Sequence, residues 1–434
     1  MELLLSSMFS DQYLDFPCPK VEKMCQWLMF DEQEKDEPSQ TITEDSSGNS
    51  EMDYNEQSII YHLFKAYSEA IENGYGDLKE VIAKSILEKI NPLGDAIERV
   101  TFWKFQTQEN TSGTYLKAES NQNIEIAFNA FYLSFPYGRF AHFTANAAIL
   151  ESIPNEGVNI VHVVDFDMGD GVQWAPFLEA MSNKGISLRF TSIKFDKQRN
   201  FDTPWNSEET KRRLYKHAET CGATLVQIDE MNMEDLIIEL KRVKKRGCRN
   251  EWTVFNCMIS LPHMVGRRRR RKSQAMKFLA SAKAFLANYV PRRGIIIIGD
   301  GEAHDISNNI CSNFDAFFNN RLNHYEVVLE SMEKTFPVKL REARILMETL
   351  FVAPHICSDS WFEDWKEMKE IQEKFGDDYG LMEACKFSME NIDEARGLVN
   401  EENSLFMVRV EGEMDNEMVL EWRGIPLVRI SIWT

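Results

Sequence analysis

A mainly parallel α/β sheet, preceded by helices and finished by antiparallel strands, is the fold class this sequence predicts. Three observations carry it. From Asn159 onward, apolar runs alternate with amphipathic helical stretches, the pattern of parallel strands covered on both faces. The first run, Asn159-Ile-Val-His-Val-Val-Asp165, passes directly into a turn with glycines at 169 and 171 and then into a helix-compatible stretch near Gln173. Near the other end, Phe406–Val410, Met418–Trp422 and Leu427–Trp433 alternate with period two, as antiparallel strands closing a sheet edge do.

The elements follow in order. Residues 1–57 are acidic and rich in small polar side chains, as in Asp31-Glu-Gln-Glu-Lys-Asp-Glu, so they are expected to form a disordered tail. Within that tail lies a compact apolar patch, Trp27-Leu-Met-Phe30, followed at once by Asp31 and Glu32. Such a mixture suits an activation or docking segment, or is simply a sticky stretch of tail. From Ser58 the spacing turns helical: Ile60, Leu63, Phe64, Tyr67 and Ile71 line one face. That face is ordinary core or a pairing surface. A second helix follows Gly76, with Leu78, Ile82, Ile86 and Ile90 one turn apart and Pro92 as its stop. A third contains Arg99, Phe102, Trp103 and Phe105, and residues 124–150 are expected to be helical throughout. Residues 58–150 thus read as a helical cap and 151–434 as the α/β core.

In the core, the expected strands are Asn159–Phe166, Leu188–Phe195, Thr224–Ile228, Thr253–Met258 and Gly294–Ile298. The expected helices are Gln173–Met181, Ser207–Cys221, Met233–Lys245 and Ser273–Ala287. A parallel sheet with a terminal antiparallel addition is the plan of Rossmann-like, class I methyltransferase-like folds. The likeness of fold carries no function by itself.

Composition narrows the function classes. A hydrophobic share of 43% and an aromatic share of 11% suffice for a large folded core. A net charge of −20 opposes direct binding to a phosphate backbone unless cations cluster. The eight cysteines form no C-x-x-C pair, so they read as reduced, mostly buried thiols of an intracellular protein. No run is long enough to span a membrane, and no leader pattern is present.

A ligand pocket, if there is one, would use Asp165, Asp167, Gly169, Gly171 and Gln173, with Asp196 after the second strand and Asp229 after the third. The third glycine of a dinucleotide fingerprint is absent after Gly169 and Gly171, so a nucleotide cofactor is not indicated. The stretch Asn256-Cys-Met-Ile-Ser-Leu-Pro-His263 lacks the Asn-Pro-Pro-aromatic clamp of amino methylation. His162 lies inside a strand and is expected to be a hydrogen-bonded structural imidazole. No metal spacing, nucleophile elbow or phosphate loop occurs. No catalytic residue, cofactor or metal is therefore assigned. The remaining anomaly is a basic block of Arg267, Arg268, Arg269, Arg270, Arg271 and Lys272. It reads as a nuclear-import signal, a phosphate-contacting patch or a solvated loop.

Taken together, the motifs resemble the plant GRAS transcriptional regulators. Val161-His-Val-Val-Asp165 with Gly171-Val-Gln173-Trp174 and Pro176 resembles the family's V-H-I-I-D core, and Phe140-Ala-His-Phe-Thr-Ala-Asn146 resembles the end of its first leucine-rich region. Leu188-Arg-Phe-Thr-Ser-Ile193, Leu350-Phe-Val-Ala-Pro-His-Ile356 with Trp361 and Trp365, and Ser431-Ile-Trp433 follow in family order. Ile432 stands where alanine is usual. Within the family the spelling is most similar to the nodulation-signalling branch. The resemblance implies a nuclear regulator with a methyltransferase-like fold, paired with itself or another GRAS protein that supplies most of the promoter contact. It also implies a link to symbiotic or strigolactone signalling, and no catalytic residue. The basic block is not a family motif. The alternative reading is an S-adenosylmethionine-type ligand binder or methyltransferase using the Asp165–Gln173 pocket.

Overall fold

The computed structural model describes residues 50–106, 124–193, 205–246, 250–262, 268–287, 293–303, 313–357, 361–375, 382–399 and 405–434. Most of the acidic tail, with Trp27-Leu-Met-Phe30, and also Asp196 and Arg267 lie outside the described residues. The chain divides into two compact units, residues 1–89 and 90–434. This division falls inside the stretch read from sequence as a helical cap.

Among its described residues the first unit has two helices, α1 (Ser50–Glu72) and α2 (Gly76–Leu87), joined by a three-residue turn and packed on each other. Helix α1 begins eight residues before the Ser58 expected from the apolar spacing. Along it Phe64 and Tyr67 are buried, while Ile60, Leu63 and Ile71 are half-buried. On α2, Ile82 and Ile86 are buried.

In the second unit, α3 (Ala96–Phe105) opens with a capping box. Asp95 accepts from the Glu98 backbone N–H, and the Glu98 side chain accepts from the Asp95 N–H. The helix expected over 124–150 is two helices, α4 (residues 124–134) and α5 (Pro136–Ser152). Proline at the first position of α5 pushes the preceding residue out of the helical region, and Phe135 is extended at φ −121°, ψ 124°. The chain can resume as a helix because a first-turn residue needs no N–H partner.

There follow β1 (Ile160–Asp165), α6 (Trp174–Met181), β2 (Ser187–Ile193), α7 (Ser207–Cys221), β3 (Leu225–Met231), α8 (Met233–Arg246), β4 (Glu251–Ile259), α9 (Arg268–Leu286) and β5 (Gly294–Asp300). Helix α9 starts at Arg268, five residues before the expected Ser273. Unbranched arginine and lysine side chains lose little rotamer freedom in a helix, so the basic run extends it. After β5 come α10 (Phe314–Thr335), a 3₁₀ turn (Val338–Leu340), α11 (Arg341–Met347), a π-helical segment (Glu348–Val352), α12 (Ala353–Ile356), α13 (Trp361–Phe375) and α14 (Met389–Gly397). The strands β6 (Phe406–Glu411), β7 (Glu417–Trp422) and β8 (Ile425–Trp433) complete the sheet.

The eight strands of the described residues form one sheet in the order β3-β2-β1-β4-β5-β8-β7-β6. The first five are parallel; β8, β7 and β6 continue as an antiparallel meander, with Ile297 of β5 opposite Ile432 of β8. This is a Rossmann-like mixed sheet, as the alternation of apolar runs and amphipathic helices required. On one face Val164, Phe166, Phe255 and Ile296 pack under α8 and α9 through Leu236, Leu240, Phe278 and Phe285. Phe278 sits 5.5 Å from Phe166 and 6.0 Å from Phe255, ring centre to ring centre. It is fully buried, so Phe278→Ala should remove about 3–5 kcal/mol of stability. A fall in the urea midpoint with an unchanged slope would register it.

Candidate functional site

The strand-to-helix turn after β1 is held by two of its own aspartates and by side chains from β2 and α7. Asp167 Oδ1 accepts from the Gly169 N–H at 3.1 Å, and Asp170 Oδ1 accepts from the Val172 N–H at 3.1 Å. These are two Asx turns in succession, a conformation that aspartate favours. The Met168 N–H donates to Ser192 Oγ at 3.3 Å. The carbonyls are tied from the other side: Thr210 Oγ donates to Gly169 O at 3.2 Å, and Arg213 donates to Asp170 O at 3.0 Å. Both donors stand on α7. Gly171 needs its missing side chain, since φ is +85° and a Cβ would come within 3.0 Å of Thr210 Cγ2 and 3.3 Å of Leu214 Cδ1.

Below the turn lies a buried polar cluster. Trp174 Nε1 donates to Asp165 Oδ2 at 2.7 Å, and Asn256 Nδ2, on the neighbouring β4, donates to Asp165 Oδ1 at 3.0 Å. Asn256 Nδ2 also reaches Gln173 Oε1 at 3.1 Å. Asn146, on α5, donates to the Gln173 carbonyl at 2.7 Å and accepts from Gln173 Nε2 at 3.3 Å. All five side chains are buried, and each meets the hydrogen-bonding need of another. Burial pushes the Asp165 carboxyl up to about 7 against the lowering effect of its two donors. Burial likewise raises Asp170 to about 6, against its bond from Val172 and the charge of Arg213.

The residues expected to form a pocket therefore have different fates. Asp165 and Gln173 join the cluster, Asp167 clasps the turn, and Gly169 and Gly171 shape it. Asp229 does not follow the third strand as expected but lies within it, because β3 runs on to Met231. There its carboxylate accepts from Gln227 at 2.7 Å. An edge strand half exposed to water accommodates such polar residues. His162 is a structural imidazole, bonded to Thr191 Oγ at 2.9 Å and facing Glu251 at 3.1 Å, with its pKa lowered chiefly by burial.

A second buried node escaped the sequence reading. At the carboxyl end of β5, Glu302 accepts from Arg321 at 2.9 Å and from Tyr325, with His355 Nδ1 3.1 Å away. Arg321 also donates to Asp364 at 3.0 Å and lies 5.3 Å over Trp361, against whose ring Lys104 rests at 4.1 Å. Its members are spread over more than 60 residues of sequence, so no local spacing reveals it. Among the described residues no group of metal-ligating side chains occurs, and no helix is long and apolar enough to cross a membrane.

The GRAS domain family model matches residues 61–434, nearly all of the chain. The chain belongs to the GRAS domain family. Among its relatives, the Medicago truncatula protein named Protein NODULATION SIGNALING PATHWAY 2 is 30% identical over 72% of this chain, and its Lotus japonicus namesake is 27% identical over 86%. This GRAS chain spans 59% of the length of the first relative and 76% of the second. The crystal structure of SCL7 from Oryza sativa matches with a TM-score of 0.59 at 20% identity, covering 86% of this chain and 99% of that one. It supports the fold alone.

The raised carboxyls of this GRAS chain set a pH dependence. A folded pKa above the unfolded value means stability that is complete below about pH 4 and is lost as pH rises through the folded pKa. In Asp170→Asn the oxygen that accepts from Val172 is retained and the titration is removed. The unfolding free energy of the native chain, relative to that variant, should fall as pH climbs from 4 to 7. Parallel denaturant titrations at each pH measure that difference.

Proposed function

We propose that this GRAS chain acts in the nucleus as a transcriptional co-regulator, pairing with another GRAS protein that makes most of the promoter contact. The observation that supports a scaffold over an enzyme is the turn after β1. The Gly169 and Val172 N–H groups, which could receive a ligand's anionic oxygens, are taken by Asp167 and Asp170, and the side chains of Asp165, Gln173 and Asn256 bond one another. On this reading the domain is a methyltransferase-like scaffold that works without a cofactor or a catalytic residue. The net charge of −20 favours promoter contact through the partner. Arg267 to Lys272 serves nuclear import, and the nodulation-signalling relatives point to symbiotic or strigolactone-related control.

Pairing uses the first helix. Phe64 and Tyr67 are withdrawn into the chain's own interior, so a partner meets half-buried Ile60, Leu63 and Ile71 beside exposed Ile59 and Tyr61. Calorimetry of the full chain with S-adenosylmethionine should give no saturable heat up to millimolar ligand. Saturable binding that Gly169→Ile weakens would favour the ligand-binding alternative. Tyr61 is 57% exposed, so Tyr61→Asp should leave the circular dichroism spectrum unchanged. It should weaken pairing with a GRAS protein from another branch at least about tenfold by analytical ultracentrifugation, a loss of roughly 1.4 kcal/mol. Unaltered pairing would put the interface elsewhere.

A further inference from the structure

Strand β6 ends the sheet order, and its outer edge is open among the described residues. The Arg423 N–H donates to the Leu405 carbonyl at 3.2 Å, which fixes the direction in which each residue of β6 turns its backbone. Residues 405, 407, 409 and 411 bond to β7, so the N–H and C=O groups of Phe406, Val408 and Val410 point away from the sheet. Among the described residues no backbone group bonds those of Val408 and Val410 on that side. Such an edge is a template for another strand unless something guards it. β6 contains no proline, and its pairing with β7 has no bulge. Its charge is no guard either, because Arg409 is held by Glu411 at 2.7 Å and by Glu421 at 2.8 Å. Apolar side chains stand in water around it: Leu405 is 43% exposed, Met407 58%, and Met414, in the turn to β7, 56%.

We propose that two copies of the chain pair through β6, antiparallel about a two-fold axis at Val408, so that their two sheets become one. The charge pattern of the strand selects both the occupant and the register. The registers with the most overlap are centred on Val408 and on Arg409. Centring on Arg409 sets the two arginines directly opposite each other, where side chains come closest, and like charges there are destabilising. Centring on Val408 engages all three outward residues, with Val408 opposite its own copy and Phe406 opposite the second copy's Val410. Aromatic and β-branched pairs of this kind stabilise antiparallel strands. Met407 then lies opposite the second copy's Arg409, whose aliphatic stem covers the thioether while its guanidinium keeps Glu411 and Glu421. No like charges meet. The same axis brings the Leu405 end of each strand toward the turn that carries Met414 in the other.

The opposite end of the sheet offers no such match. β3 carries Asp229 and Glu230 and no basic residue, so two copies of it would set carboxylates beside one another. What favours a second copy over a foreign strand at β6 is that β6 is complementary to itself. One strand edge is at the small end of interface size, so the dimer is weak and its population rises with concentration. The contact does not involve the first helix, and it stands whether or not that helix pairs with another GRAS protein.

Sedimentation velocity of the full chain from about 1 μM to 1 mM should show a monomer–dimer equilibrium. Hydrogen exchange of residues 406–411, read by mass spectrometry, should slow as the dimer fills. Met407→Lys alters a mostly exposed side chain, so the circular dichroism spectrum should stay unchanged. The substitution sets an ammonium opposite Arg409 twice in each dimer and should weaken self-association at least about tenfold. Tyr61→Asp, on the first helix, should leave this dimer as it is. A chain that stays monomeric throughout overturns the proposal. So does a dimer that Met407→Lys leaves unchanged, one that Tyr61→Asp dissolves, or one that forms without slowing exchange at 406–411. Exchange that is slow there at every concentration would assign the edge to another part of the same chain, and would overturn it as well.

Discussion

Two aspartate side chains folded back onto their own backbone decide what the end of the first strand can hold. By satisfying the N–H groups of Gly169 and Val172, Asp167 and Asp170 fix the course of the chain from β1 into α6. That course sets Trp174 and Gln173 where they meet Asp165, and Asp165 in turn takes Asn256 from β4. Helix α7 closes over the turn through Thr210, Leu214 and Arg213. Buried polar groups are costly unless paired, so altering one member would leave several neighbours unsatisfied. The Rossmann-like strand end is a junction of three strands and three helices.

The Glu302–Arg321 node does the same for the other half of the sheet. It ties the residues that follow β5 to α10, α12 and α13 through two carboxylates, a phenol, an imidazole and a guanidinium. The attraction within such a node roughly offsets the cost of withdrawing its charges from water. Its larger effect is geometric, because Arg321 can satisfy Glu302 and Asp364 together only when α10 and α13 sit in one relation. Trp361, with Lys104 against its ring and Arg321 also within cation–π reach, gives the same helices a shared packing surface.

Much of this was legible in the sequence. The apolar runs between 159 and 298 became parallel strands because burial on both faces removes any need for alternation, and the last three strands declared themselves by alternation. The break at Phe135 was also legible, since the residue before a proline is rarely helical, but the apolar spacing on either side concealed it. The early start of α9 was hidden by reading a charge run as a loop, although arginine is a good helix former. Asp229 misled because a carboxylate resembles a strand terminator, whereas a half-exposed edge strand accommodates it. Asp167 and Asp170 suggested a pocket by type and place. Only the three-dimensional arrangement shows their oxygens turned inward onto the chain. The Glu302 node was invisible because charged residues far apart in sequence read as surface until the fold brings them together.

The sheet order has a consequence for how the protein is made. Strand β5 has β8 as its second neighbour, and Ile425 at the start of β8 follows Asp300 at the end of β5 by 125 residues. During synthesis at about 5–20 residues per second, the open side of β5 therefore waits roughly 6–25 s for its partner. Ile296 and Ile297, fully buried in the finished sheet, belong to that waiting strand. An unpaired apolar strand held open for so long on the ribosome is a template for wrong pairing. The nascent chain is thus a natural client for chaperones throughout the interval in which its α10 to α14 helices emerge.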